Sequence, residues 1–104
     1  MWYCVTRHDD TYVLSVIGQI DLSVTRELND AFSECPGDVL VDLSGVTFMD
    51  SSGINTLVAA RRAYGSAERQ FTLQGISKNL LRTLESLGLV DYLGVDRSSI
   101  GPSS

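Results

Sequence analysis

Polar and apolar positions along this chain change period several times, and each change predicts an element. Residues 2–7 and 11–17 are rich in aromatic and β-branched side chains and flank the polar trio His8-Asp9-Asp10, which predicts a β-hairpin. Val24, Leu28, Ala31, Phe32 and Cys35 then recur at helical spacing, with Ser23 as the expected N-cap and Pro36-Gly37 as the stop. In "DVLVDL" the apolar residues Val39, Leu40 and Val41 are consecutive, the pattern of a strand buried on both faces.

The segment "SGVTFM" reads as a loop, followed by a helix from Ser51 to Tyr64 with Ile54, Leu57 and Val58 on one face and Gly65 as its stop. "FTLQG" alternates and predicts a strand. Ser77 is then placed to cap a helix with Leu80, Leu81, Leu84 and Leu87 inward and Gly88 at its end, and "LVDYLGV" supplies a last short strand or turn. Strands alternating with helices after a hairpin predict a single α/β domain: a mixed β-sheet with an N-terminal β-hairpin, parallel crossovers and helices packed on the sheet. The domain is expected over residues 1–97, with 98–104 as a flexible tail.

Composition narrows the function classes. A chain of 104 residues with 43% apolar content can bury one core without a metal or disulfide. Its net charge of −5 argues against a nucleic-acid partner, which would require clustered Lys and Arg to displace counterions. No apolar run is long enough for a membrane span and no leader pattern opens the chain, so a cytoplasmic location is expected. Cys4 and Cys35 lack CxxC spacing and read as reduced, packed thiols.

Most catalytic constellations are incomplete. Met49-Asp50-Ser51-Ser52-Gly53 lacks the first glycine of a nucleophile elbow, and the only histidine, His8, sits at the predicted hairpin turn, far from a serine it could activate. Neither a GxxxxGK[ST] nor a GxGxxG loop occurs, so no nucleotide cofactor is indicated. His8, Asp9 and Asp10 are consecutive and cannot all face one metal ion from a regular strand. What remains is "TFMDSSGIN", residues 47 to 55, where Asp50, Ser51 and Ser52 are each able to cap the coming helix. One cap suffices, and neither the two remaining polar residues nor Gly53, a poor helix former, is explained by it.

Three segments in order, "VIGQIDLSVTRELNDAF", "VLVDLSGVTFMDSSGINTLVAA" and "LLRTLESLGLVDYLGV", resemble the STAS family, and within it the small bacterial anti-sigma factor antagonists. The central stretch is the specific one; the leucine-rich end is weaker. The resemblance implies a binding protein rather than an enzyme, with no cofactor. It implies a partner that is both anti-sigma factor and serine kinase, of the ATPase-fold type, and a PP2C-like serine phosphatase that resets it. It maps the phosphorylated serine onto Ser51, with Ser52 as competing acceptor. The acidic residue of the family's G-x-I-D element maps onto Asp21. Asp21, Asp50, Ser51, Ser52 and Gly53 are therefore the expected partner surface, and Met49 and Ile54, with Phe48, are either its apolar rim or part of the core. The alternative is a STAS docking subunit of a membrane transporter or stress-signalling complex, in which no phosphate takes part.

Overall fold

The computed structural model describes residues 1–96; the tail expected at 98–104 lies outside the described residues. Strands β1 (Trp2–His8) and β2 (Thr11–Ile20) form the expected hairpin, paired antiparallel from Trp2 opposite Ile17 to His8 opposite Thr11. Asp9 turns the chain at φ 57°, a left-handed conformation that Asp tolerates better than most residues. Strand β3 (Asp38–Met49) runs parallel to β2, and β4 (Phe71–Gln74) runs parallel to β3, giving the order β1-β2-β3-β4.

Helix α1 (Thr25–Ser33) links β2 to β3, α2 (Ser51–Ser66) links β3 to β4, and α3 (Lys78–Ser86) with the short α4 (Val90–Leu93) closes the fold. After α4, Val95 forms a single parallel bridge to Leu73, so the last segment is helix and bridge together. No helix among the described residues is long and apolar enough to cross a membrane. This is the mixed α/β sheet expected from the alternation of periods.

The core forms where the helices meet one face of the sheet. Leu14, Val16, Val39, Val41, Leu43, Phe71 and Leu73 are buried at alternate strand positions, against Leu28, Phe32, Leu57, Tyr64 and Leu84 from the helices. Leu40 points the other way and is only half-buried, so β3 is not covered on both faces. On the uncovered face, Trp2 and Ile17 stand opposite one another, 61% and 45% exposed. Tyr64 anchors α2: its hydroxyl donates to the carbonyls of Phe32 (3.1 Å) and Cys35 (2.7 Å), satisfying the end of α1. Cys35 is buried there as expected, whereas Cys4 is exposed on the outer face.

Several local expectations are corrected. Residues 44–49 are strand rather than loop, because Val46, Thr47 and Phe48 suit a pleated chain and β2 is long enough to pair with them. Two register shifts, between Ser15 and Ile17 and between Gly18 and Gln19, absorb extra residues of β3 as bulges, and Ser44-Gly45, which resembles a breaker, falls in the first. Gly45 is needed there, since a Cβ would lie 2.8 Å from Ile17 Cγ1.

Ser23 is not the cap of α1. Asp21 caps a 3-10 turn, Leu22–Val24, that leads into the helix, and Ser23 donates to it. Helix α2 runs past Gly65 to Ser66 and ends with Glu68 at φ 57°, where Glu68 N–H bonds to Gly65 O (3.0 Å) and Arg69 N–H to Tyr64 O (2.8 Å). Leu87 is 57% exposed because it is the residue after α3 rather than part of its inner face.

Candidate functional site

The C-terminal ends of β2 and β3 lie side by side, and each hands the chain to an aspartate. Ile20 is paired with Met49, and Asp50 N–H donates to Ile20 O at 3.1 Å, which brings the two turns that follow, at Asp21 and Asp50, together. In open α/β sheets, binding sites gather outside the carboxyl ends of parallel strands, where loops and helix N-termini converge. The two aspartates that the family resemblance marks are thus neighbours across the strand pair.

Each carboxylate is engaged with its own turn. Asp21 Oδ1 accepts from Ser23 N–H (3.0 Å) and Ser23 Oγ (2.6 Å), and the hydroxyl bond is the main reason its carboxyl titrates below the ordinary carboxylate value. Asp50 Oδ1 accepts from Ser52 N–H (2.9 Å) and Gly53 N–H (3.2 Å), the second and third residues of α2. Asp50 is therefore the cap, which leaves both serine hydroxyls available for another purpose.

The two serines differ in exposure. Ser51 is the first residue of α2 and exposed, and its hydroxyl makes no hydrogen bond among the described residues. Ser52 is half-buried; its N–H is held by Asp50 and its carbonyl accepts from the buried Thr56 hydroxyl at 2.9 Å. A Ser51 phosphate would project into solvent beside the helix N-terminus, where backbone N–H groups and the helix dipole favour an anion.

Gly53 has a packing role that its sequence context does not reveal. A Cβ there would meet Ile20 Cγ2 and Met49 Cγ, each at 2.7 Å, so the glycine lets the first turn of α2 lie directly on the strand ends. Of the apolar rim candidates, Phe48 is 53% exposed, Met49 is half-buried and Ile54 belongs to the core at 5%. Thr56 and Ile20, which hold the turn from below, went unnoticed in the sequence; the only signal was the spacing of four between Ser52 and Thr56, the reach of a hydroxyl to the preceding turn.

A family model described as Mlab, STAS domain matches residues 4–95, nearly the whole described chain. The chain belongs to the STAS domain family. An anti-sigma-B factor antagonist from Staphylococcus epidermidis is 29% identical over 96 residues, covering 88% of this chain and 89% of its own. The solved structure of an anti-sigma factor antagonist from Mycobacterium paratuberculosis is similar at TM-score 0.77 and 25% identity, over 92% of this chain and 85% of that one. The Bacillus cell fate determinant SpoIIAA in its phosphorylated form shares the fold at TM-score 0.66 and 17% identity, over 91% of each chain. Within this STAS domain, Asp21 and Asp50 follow the paired strand ends Ile20 and Met49, and Ser51 and Ser52 open α2 directly after Asp50.

Proposed function

We propose that this STAS domain is an anti-sigma factor antagonist switched by phosphorylation at Ser51. In the unmodified state it binds an anti-sigma factor that is also a serine kinase of the ATPase-fold type, and so frees a sigma factor. A PP2C-like serine phosphatase restores the unmodified state. The observation that carries the reading is the exposed, unengaged Ser51 hydroxyl directly after a carboxylate that already caps the helix. The anti-sigma-B factor antagonists among its relatives support the regulatory role.

Charge explains how such a switch works without unfolding the domain. A phosphoserine adds about −1.5 to −2 charges at neutral pH. The α2 N-terminus tolerates them, and they add to the negative charge of Asp50, directly before the serine, and of Asp21 across the strand pair. A partner surface fitted to a neutral hydroxyl then meets new charge and bulk that it must desolvate or repel. The fold survives and the complex does not.

Phosphosite mapping on protein recovered from its native cells, combined with titration of the purified anti-sigma kinase, tests this. Phosphate is expected on Ser51, abolished in Ser51→Ala, with Ser51→Asp weakening the complex at least tenfold, which is about 1.4 kcal/mol. Phosphate on Ser52 instead, or Ser51→Asp binding as tightly as the parent, would overturn the assignment.

A further inference from the structure

Strand β3 outruns its neighbour on one side. It pairs with β4 only from Val39 to Asp42, while with β2 it continues to Met49, so among the described residues the far edge of residues 43–49 faces no strand. Facing that edge is α3, and between them lies an open cleft of about 300 Å³. Leu43, Val46 and Phe48 line it from the strand side, and Ser77, Leu80 and Thr83 from the helix side. An unpaired strand edge offers backbone donors and acceptors in the spacing that another extended chain satisfies.

We propose that this cleft receives an extended peptide segment of the same anti-sigma partner, added as a strand beside residues 43–49, with an apolar side chain set between Phe48 and Leu80. The proposal rests on the reading of Ser51 as the partner's target. Phe48 and Met49 run directly into Asp50 and Ser51, so a protein engaging that serine stands at the mouth of the cleft. Lys78 and Arg82 are exposed on α3 but do not line the cleft, so the segment is held by its backbone and an apolar side chain rather than by charge. A second copy of this chain fits less well, because each copy carries a net charge of −5 and two copies repel.

Hydrogen exchange on the full chain, with and without the purified anti-sigma kinase, reads the proposal directly. Ser44 N–H already donates to Asp42 Oδ1 (3.0 Å), so it is the amides of 45–49 left free by the β2 ladder that are expected to exchange at least tenfold more slowly in the complex. Thr83→Trp and Thr47→Trp, exposed positions on opposite walls, should fill the cleft and weaken binding at least tenfold without moving the thermal midpoint. If Ser51→Asp weakens the complex while those amides are unchanged and both tryptophan variants bind normally, the cleft proposal falls and the Ser51 reading stands. If the tryptophan variants weaken binding and Ser51→Asp does not, the cleft is a docking site and the Ser51 reading falls. Slowed exchange without kinase, growing with protein concentration, would identify a second copy as the occupant and overturn the proposal.

Discussion

Gly53→Ala sets two opposed effects against each other at the centre of the site. In a helix, alanine is favoured over glycine by about 1 kcal/mol, so propensity alone predicts stabilisation. The added methyl, however, would sit 2.7 Å from both Ile20 Cγ2 and Met49 Cγ, closer than carbon atoms approach without displacement. Met49 is half-buried and unbranched, so its side chain can swing aside. Ile20 is fully buried with a branched Cβ, and its methyl cannot move without shifting the strand end or α2. Overpacking of this kind costs about 1–3 kcal/mol, which outweighs the propensity gain and leaves a net loss of about 1 kcal/mol. For a domain of this size that lowers the melting temperature by about 4–8 °C. Denaturant and thermal unfolding of Gly53→Ala, Met49→Ala and the double variant measure it. The double variant should lose less than the sum of the singles, because removing the Met49 side chain relieves one of the two clashes. A Gly53→Ala protein as stable as the parent, or more so, would refute the argument that close approach requires this glycine.

Other consequences are equally open to measurement. Asp50→Ala removes both side-chain bonds to the α2 N-terminus and should cost about 1 kcal/mol in denaturant unfolding, while Asp50→Asn, which keeps an acceptor, should recover most of it. Glu68→Gly should stabilise by about 0.5–1 kcal/mol, because Glu68 holds the left-handed position after α2 that glycine adopts without strain; an unchanged melting temperature would count against this. Asp21 titrates lower in the folded than in the unfolded chain, so it contributes stability above its ordinary value of 3.8 that is lost as pH falls through the lower folded value. Ser23→Ala, which removes the main cause, should flatten the stability profile in that acidic window, and an unchanged acid limb would argue that the hydroxyl bond is absent in solution.

Much of this protein was determined by the order of its residues. The hairpin, and α3 with its Ser77 cap and Gly88 stop, follow from interactions within a few residues, such as Ser77 Oγ accepting from Leu80 N–H at 3.1 Å; that α2 has a cap among Asp50, Ser51 and Ser52 follows in the same way, but which of the three it is does not. Such contacts are written locally, so spacing reveals them. The stretch around Ser51 was conspicuous for the same reason, as it carries more polar residues than one cap needs. What the tertiary structure decided is everything that depends on a distant neighbour. Residues 44–49 became strand because β2 lay alongside to accept them, and Gly53 is required because Ile20, far away in sequence, lies beneath it. Ser51 and Ser52 are the same residue type at adjacent positions. Only the seating of α2 on the strand ends turns one hydroxyl to solvent and the other partly inward, because burial is a property of the packed surface and not of the residue.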